Sequence, residues 1–312
     1  MKLLIEAIVQ KHDLGDFISF DAVSEGVLNK NFIFETSKGK FFLKNCHAKT
    51  KTRMKFINDV EKFMKTPAVP SVAAISIDEA EGYMLYSFVE SDRTHDYNLK
   101  DYFKMGQMLG HIHAVTYGKD IPENLKQFPY VERDLKDMVV GMKKYEQMLE
   151  TKENKDEVDI LFLEYIQKKL SYAENYVDIP ELVNDTLMHG DFHAGNLLFS
   201  KDMREIIGVC DWEKAQYSPR VLDVARAYLY IGFGTNTDDI VECTQIGEAV
   251  LEGYRTILPI SDEEFQKGIK IRIKSNIFTH WIEDKYYIGK DARANKFIKN
   301  GIMILDHFCS IQ

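Results

Sequence analysis

Three polar residues in the middle of the chain limit its possible folds more than any other feature. Asp191 and Asn196 stand five positions apart in the run MHGDFHAGNLLF, and Asp211 closes the short run EIIGVCDW. The apolar runs LLFS and EIIGVCDW predict a β-hairpin, which would return Asp211 to the side of Asn196. Amide and carboxylate oxygens are ligands that Mg²⁺ prefers, and a further carboxylate can orient a hydroxyl group. The pattern therefore predicts a site for phosphoryl transfer.

The patterning of apolar residues divides the chain into two parts. Up to about residue 88, alternating apolar runs such as NFIFETSKGKFFLKN and GYMLYSFV predict strands, with one helix around Met54 to Met64. From about Leu99 onward, apolar residues at three-to-four spacing predict helices, interrupted only by the hairpin. The sequence thus predicts an α+β fold with a small β-rich N-terminal lobe, residues 1–88, and a larger, mostly helical C-terminal lobe, residues 89–312. A ligand cleft is expected between the lobes.

The composition argues against several other classes of protein. Lys and Arg total 40 against 49 Asp and Glu, so the net charge is −9, which disfavours nucleic acid and anionic membranes as partners. The 4 cysteines lie far apart without a C-x-x-C pair, so neither a disulfide framework nor a zinc site is expected. The N-terminal run is too charged for a secretory signal, and no long apolar run follows. These features predict a cytoplasmic protein with reduced thiols.

The chain resembles the aminoglycoside phosphotransferase and choline kinase family of small-molecule kinases, which share the bilobal protein-kinase fold. The likeness rests on the runs HGDFHAGN, CDWE and PRVLDVA, in that order. Upstream, VSEGVLNKNFIFETSKGKFFLKN is similar to the nucleotide loop and strands of that family, and MLYSFVES to its hinge. The loop lacks the G-x-G-x-x-G pattern of protein kinases. The P-loop pattern G-x-x-x-x-G-K-[ST] is also absent, which disfavours the other large class of phosphoryl-transfer enzymes.

The resemblance implies ATP and Mg²⁺ as cofactors and a role for each matched residue. Asp191 would be the catalytic base or the carboxylate that orients the acceptor hydroxyl, and Asn196 and Asp211 would bind Mg²⁺. The expected nucleotide-binding residues are Gly26 and Asn29 in the loop, Lys44 on the phosphates, Glu61 as the ion-pair partner of Lys44, and Ser87 and Val89, whose backbone groups would bind adenine. His189 and Asp223 are expected to hold the catalytic loop in place rather than to take part in the chemistry.

The acceptor is expected to be a hydroxyl group of a small molecule. An aminoglycoside-like compound, choline or ethanolamine, and a homoserine-like amino alcohol are all compatible with the sequence, and a cationic acceptor would suit the acidic balance. Aromatic and acidic side chains can hold an ammonium group by cation–π contact and charge pairing. The candidate acceptor-binding residues are Glu213 beside Asp211, and Trp281, Glu283, Asp284 and Tyr287 in the segment THWIEDKYY. At helical spacing, residues such as Trp281 and Tyr287 more often belong to the core than to a pocket. Neither the acceptor nor the oligomeric state can be read from the sequence.

Two alternative functions are weighed against an active small-molecule kinase. A catalytically silent nucleotide-binding protein on the same fold would be expected to lack Lys44, Asp191 or Asp211, and all three are present. A protein-directed kinase would need a segment on which a polypeptide substrate docks, but only about a dozen residues separate Asp211 from Asp223. The sequence therefore favours an ATP-dependent kinase that acts on a small-molecule hydroxyl.

Overall fold

The computed structural model describes residues 1–23, 29–92, 96–179, 182–202, 205–234 and 237–309 of the chain. The chain forms two compact units. The first comprises Met1–Asp96, Lys119–Phe128 and His189–Gln216, and the second Tyr97–Gly118, Pro129–Met188 and Tyr217–Gln312. The first unit therefore includes the segment that carries the predicted catalytic residues, and the lobe boundary at residue 88 stays a prediction.

A five-stranded antiparallel sheet forms most of the first unit. Its strands, in the order β1-β2-β3-β5-β4, are β1 (Phe17–Val23), β2 (Lys30–Thr36), β3 (Gly39–Asn45), β4 (Ser76–Asp78) and β5 (Tyr83–Ser87). The predicted hairpin is confirmed, because Phe34 lies opposite Phe41 and Thr36 opposite Gly39. One face of β2 and β3 is buried against the helix α1 (Lys2–Lys11). The alternation of apolar and polar residues along these strands follows from this one-sided burial.

Two helices and a second hairpin complete the first unit. The helices are α2 (Ala48–Lys51) and α3 (Met54–Met64), and the hairpin strands are β7 (Leu197–Phe199) and β8 (Ile206–Val209). Leu197 lies opposite Val209, and the Cys210 N–H donates to the Asn196 carbonyl at 3.0 Å. The predicted hairpin is thus confirmed, and its register places Asn196 beside the residue that precedes Asp211.

The second unit is mostly helical. Its helices are α4 (Leu99–Ala114), α5 (Leu135–Thr151), α6 (Glu157–Glu174), α7 (Arg220–Ala227), α8 (Ile240–Ile257), α9 (Asp262–Arg272), α10 (Trp281–Glu283) and α11 (Lys296–Cys309). Three π-helical segments also occur, at Tyr228–Gly232, Ile273–Ile277 and Asp284–Ile288. The predicted α+β class is confirmed. In the part of the chain that the structure describes, no helix has the length and apolar character needed to cross a membrane.

One further strand pair was not predicted. The strands β6 (Thr186–Met188) and β9 (Gln216–Ser218) form a two-stranded sheet. Each has three residues, which is too short for an alternating pattern to distinguish it from a loop. The prediction that a single hairpin interrupts the helices is therefore wrong.

Glycines set the close approach of α4 and α8 in the second unit. A Cβ atom added to Gly106 would lie 1.9 Å from the carbonyl oxygen of Val250, and one added to Gly253 would lie 2.0 Å from that of Phe103. Both obstacles are backbone atoms, which cannot move aside as a side chain can. The two helices therefore pack through their backbones at this crossing.

Gly106→Ala should destabilise the protein although alanine favours helices. The gain in helix propensity is about 1 kcal/mol, but the clash with the Val250 carbonyl would force the helices apart. Overpacking of this kind costs about 1–3 kcal/mol or more, so the melting temperature in thermal unfolding should fall by several degrees. Lys100→Ala on the exposed surface of α4 is the control and should leave it nearly unchanged. An unchanged or higher melting temperature for Gly106→Ala would contradict this packing.

Candidate active site

The loop before β7 brings Asp191 and Asn196 together. The Asn196 side-chain amide donates to the Asp191 backbone carbonyl at 2.8 Å. The buried His189 ring holds the same loop, because its Nε2 lies 3.0 Å from the Cys210 carbonyl and its Nδ1 accepts from the Asp191 N–H at 3.3 Å. His189 therefore bonds this loop to the end of β8. The His189 ring is buried, and each of its two nitrogens lies within hydrogen-bond distance of a backbone group.

Asp211 follows β8 in an uncommon backbone conformation. Its φ and ψ are 67° and 58°, in the left-handed region, which aspartate tolerates better than most residues. Residues held in such conformations are concentrated at functional sites. A short 3₁₀ turn, Trp212–Lys214, comes next, with the Trp212 side chain fully buried. The turn leaves the Asp211 carboxylate partly exposed.

The ammonium group of Lys44 lies between two carboxylates. Its Nζ is 2.9 Å from Asp211 Oδ1 and 2.8 Å from Glu213 Oε1, and the residue is only 8% exposed. Burial alone would lower the pKa of Lys44, but the charges of Asp211 and Glu213 raise it above its ordinary value. Lys44 therefore carries a full positive charge at neutral pH.

Glu61 does not pair with Lys44, and that prediction is wrong. Its carboxylate accepts from the Tyr86 hydroxyl at 2.8 Å and from the Ala74 N–H at 3.0 Å. These two neutral donors satisfy Glu61 inside the first unit, whereas Glu213 takes the place at Lys44. Burial raises the pKa of Glu61 to about 7.

Glu213 joins the end of the expected nucleotide loop to Lys44. Its Oε1 also accepts from the Asn29 side-chain amide, and its Oε2 accepts from the Thr50 hydroxyl at 3.1 Å. Asn29 in turn accepts from the His47 N–H at 2.7 Å. The structure thus brings Asn29, Lys44, Asp211 and Glu213 together. Glu213, an expected acceptor contact, binds Lys44 instead. Gly26 lies outside the described residues.

The backbone groups of Ser87, Phe88 and Val89 in the expected hinge differ in their hydrogen bonds. Ser87 ends β5 and lies opposite Phe41 in the sheet, and the Phe88 N–H donates to the Lys40 carbonyl at 3.0 Å. Among the residues that the structure describes, none forms a hydrogen bond with the backbone of Val89. The N–H and C=O groups of Val89 can therefore serve a ligand.

Sequence reasoning missed Lys214 as a member of the site. Its Nζ donates to Asp191 Oδ2 at 2.8 Å. Lys214 stands three positions after Asp211 and outside the recognised motifs, so its spacing alone gave no signal. The structure gives the reason for the glycine of the HGD run. Gly190 has φ +78° and lies directly against the Lys214 backbone, so the loop that carries Asp191 can approach Lys214 closely.

Two of the expected acceptor-binding residues line one cavity in the second unit. The cavity has a volume of about 320 Å³ and is lined by Arg133, Asp134, Asp137, Met138, Thr279, His280, Trp281 and Asp284. The Asp284 carboxylate accepts from the Tyr145 hydroxyl at 2.6 Å and lies 2.9 Å from His280 Nδ1. Three carboxylates, one guanidinium and one indole ring thus surround a small space.

Glu283 and Tyr287 do not line this cavity. Glu283 is completely buried, and its Oε1 accepts from Lys169 Nζ at 2.5 Å, so its predicted place in an acceptor pocket is wrong. The Tyr287 hydroxyl donates to Asp159 at 2.8 Å. Its ring packs against Tyr145 and Phe162 as part of the helical core.

Comparison with known proteins identifies the family. A family model described as the phosphotransferase enzyme family matches residues 19–257. The chain belongs to this family. The prediction of a small-molecule phosphotransferase is thereby confirmed, and the identity of its acceptor is a separate question.

Individual relatives of this phosphotransferase are distant. A homoserine kinase of Rhizobium rhizogenes is 23% identical over 264 residues, which are 81% of this chain and 76% of that protein. A homoserine kinase of Paraburkholderia xenovorans is 21% identical over 298 residues, 89% of this chain and 83% of that protein.

Solved structures of low sequence identity share the fold. A spectinomycin phosphotransferase in complex with ADP and spectinomycin has a TM-score of 0.65 at 13% identity and covers 99% of this chain and 97% of its own. Choline kinase LicA from Streptococcus pneumoniae has a TM-score of 0.58 at 17% identity and covers 98% and 99%. These likenesses confirm the predicted kinase-like fold.

The residues of the phosphotransferase fit a magnesium ion held partly by phosphates. In the described ranges no three His, Cys, Asp or Glu side chains cluster as a self-sufficient metal site. Mg²⁺ commonly takes one or two protein ligands together with phosphate oxygens and water. Asn196 Oδ1 and Asp211 Oδ2 accept no hydrogen bond from any residue that the structure describes. Both oxygens are thus available as hard ligands.

The expected anchor Asp223 lies in the second unit of the phosphotransferase. It is fully buried on α7, and its carboxylate is 3.3 Å from His113 Nε2 on α4. His113 Nδ1 lies 3.0 Å from the Tyr254 hydroxyl on α8. Asp223 therefore contributes to a buried polar network that links three helices.

The contribution of Glu61 to the stability of the phosphotransferase should fall between about pH 4.5 and pH 7. Its pKa rises from 4.5 to about 7 in the folded protein, so the folded state holds this proton more tightly than the unfolded chain. The stabilisation is complete below pH 4.5 and is lost as the pH rises through 7, with a slope of up to about 1.4 kcal/mol per pH unit. Urea unfolding of wild type and Glu61→Gln across this range measures the difference.

Glu61→Gln carries no charge at any of these pH values and should lose less stability over the same range. Glu79→Gln at an exposed position should behave like wild type. Identical pH dependence in wild type and Glu61→Gln would show that the buried carboxyl does not titrate in this window.

Proposed function

We propose that this phosphotransferase transfers the γ-phosphoryl group of ATP to a hydroxyl group of a small amine-bearing alcohol. The observation that carries the proposal is the meeting of Asp191, Asn196 and Asp211 in one loop and one hairpin, with Lys44 bonded to Asp211. A hydroxyl-orienting carboxylate, two oxygen ligands and a permanent cation are the parts that phosphoryl transfer requires.

Asn196 and Asp211 would hold Mg²⁺ through their available side-chain oxygens. An ion held there would supply positive charge that stabilises the negative charge developing on the phosphates during transfer. Lys44 would add its positive charge to the phosphates. Its ammonium is nearly buried, and charges act more strongly where water is excluded. Glu213 and Asn29 would hold Lys44 and the loop in place for the nucleotide.

Asp191 would accept a hydrogen bond from the acceptor hydroxyl and take its proton as the new oxygen–phosphorus bond forms. The bond between the γ-phosphorus and its bridging oxygen breaks in the same step, and that oxygen leaves with ADP. The hydrogen bond from Asn196 to the Asp191 carbonyl fixes the loop from which this carboxylate projects. At the hinge, the unused backbone groups of Val89 would bind the adenine ring, beside the exposed residue Ser87. Fixed groups of this kind lower the entropic cost of bringing the reactants together.

The cavity in the second unit supports an acceptor that carries an amine. Asp137 and Asp284 can pair with an ammonium group, and the Trp281 ring can add a cation–π contact. Arg133 in the same lining can pair with a carboxylate. The mixture of one cation with several anions favours an amino acid that carries a hydroxyl group over a simple cation such as choline. The homoserine kinases among the relatives agree with this choice.

Asp191→Asn is the central test of the proposed function. Wild type is assayed with ATP and Mg²⁺ against L-homoserine, choline, ethanolamine and kanamycin, with ADP release followed continuously and the phosphorylated product identified by mass spectrometry. Asp191→Asn should lower kcat with the best acceptor by about 10²- to 10⁴-fold, the usual value of such a group. ADP affinity, measured by calorimetry, should stay within about twofold because Asp191 is not placed on the nucleotide.

Asp120→Asn is the matched control, since this side chain is 99% exposed. It should change neither kcat nor ADP affinity. Turnover of every acceptor by Asp191→Asn at the wild-type rate would exclude Asp191 as the hydroxyl-orienting group, and absence of transfer by wild type to all four compounds would overturn the proposed acceptor class.

Asp284→Asn should weaken binding of an amine-bearing acceptor without slowing the bound complex. Loss of one charge pair corresponds to about a tenfold increase in KM, with kcat nearly unchanged, and Asp137→Asn should act in the same direction. Glu283→Gln next in the chain is the contrast. It removes the charge partner of the buried Lys169 and should lower the melting temperature instead. Unchanged KM in both Asp284→Asn and Asp137→Asn would remove this cavity from the acceptor site.

A further inference from the structure

An ion pair joins Lys214 to the proposed catalytic carboxylate. Lys214 Nζ lies 2.8 Å from Asp191 Oδ2, and the two side chains are 55% and 17% exposed. Ion pairs with so exposed a partner contribute only about 0–1 kcal/mol to stability. The pair therefore does little to hold the fold together, but it binds one oxygen of the Asp191 carboxylate to an ammonium group.

The backbone around this pair is fixed on both sides. Gly190 has φ +78°, and a Cβ atom there would lie 2.0 Å from the Lys214 carbonyl oxygen. Only glycine lets the loop that carries Asp191 lie so close to the turn that carries Lys214. The next residue, Ala215, is fully buried, and its carbonyl accepts a hydrogen bond from the Arg53 guanidinium. The distance from the Lys214 backbone to Asp191 is thus set by packing, and the lysine side chain spans it.

The charged residues of the turn after β8 pair with two different partners, Lys44 and Asp191. Asp211 and Glu213 bind the ammonium of Lys44, whereas Lys214 binds Asp191. Each of the two proposed functional carboxylates, Asp191 and Asp211, therefore has its own lysine. A carboxylate with one oxygen bound to an ammonium has a defined orientation, and a displacement of about 1 Å in such a group can cost about 10²-fold in rate.

We propose that Lys214 is a positioning residue for phosphoryl transfer, whose ammonium holds the Asp191 carboxylate in the orientation that receives the acceptor hydroxyl. The inference rests on the proposed role of Asp191. It adds to the site a residue that acts through the Asp191 carboxylate. A lysine that formed only a surface ion pair would leave turnover unchanged when replaced.

The first test compares three single variants. Lys214→Met should lower kcat by about 10- to 100-fold with little change in KM for ATP, and Lys214→Arg should recover much of the loss because it keeps the charge. Lys38→Met is the matched control, since Lys38 pairs with Asp13 at the same 2.8 Å and its side chain is 54% exposed. It should have wild-type kcat. The acceptors are L-homoserine, choline, ethanolamine and kanamycin, and ADP release without acceptor measures transfer to water.

Melting temperatures separate positioning from a loss of fold. Lys214→Met and Lys38→Met should both melt within about 2 °C of wild type, since each loses one exposed ion pair. If Lys214→Met is unfolded at the assay temperature, Lys214→Gln replaces it, with the same expected fall in kcat.

The second test is a double-mutant cycle with Asp191→Asn. Because Lys214 acts only through the Asp191 carboxylate, Lys214→Met should lower kcat by less than about twofold further in the Asp191→Asn background. A further tenfold loss in the double variant would overturn the inference, since Lys214 would then act independently. Wild-type kcat in Lys214→Met, with Asp191→Asn impaired, would overturn it while leaving the proposed function intact. Wild-type kcat in Asp191→Asn would instead overturn the proposed role of Asp191, and the inference with it.

Discussion

The buried ammonium group of Lys44 pairs with two carboxylates, and this pairing connects the sheet of the first unit to the hairpin that carries the candidate site. A lysine that is only 8% exposed needs carboxylate partners, because an unpaired buried charge costs several kcal/mol. Asp211 and Glu213 supply them from the turn after β8. The sheet strand β3 and the hairpin β7–β8 are therefore connected by charge, and Glu213 extends the connection to Asn29 at the end of the expected nucleotide loop.

In the turn D-W-E-K, residues 211–214, neighbouring side chains contact different parts of the first unit. Trp212 is fully buried and fixes the turn to the unit's interior, while the left-handed backbone at Asp211 changes the chain direction. Glu213 then reaches Lys44, and Lys214 reaches Asp191. An aspartate in this conformation costs backbone energy, which the buried tryptophan and the ion pairs offset. The left-handed backbone at Asp211 therefore allows four consecutive side chains to point to different partners.

The sequence was informative where function depends on local register and uninformative where it depends on packing. Asn196 and Asp211 were predicted to meet because a hairpin pairs residues at fixed separations along the chain. The partner of Lys44 could not be predicted in this way, since Glu61 and Glu213 are both suitable carboxylates. The Tyr86 hydroxyl and the Ala74 N–H decide between them by satisfying Glu61 elsewhere. These donors come from other parts of the chain, so the spacing of residues in the sequence could not predict that they bind Glu61.

The neighbours Glu283 and Asp284 show why net charge could not predict the acceptor. Both were expected in one acceptor pocket, but a π-helical segment begins at Asp284 and follows a different hydrogen-bond period. Glu283 is buried against Lys169, whose ammonium also donates to the Thr279 carbonyl, so its charge is neutralised inside the core. Asp284 instead lines the cavity, where a ligand can meet its charge. The two carboxylates count equally in a net charge of −9, yet of this pair only Asp284 lines a cavity.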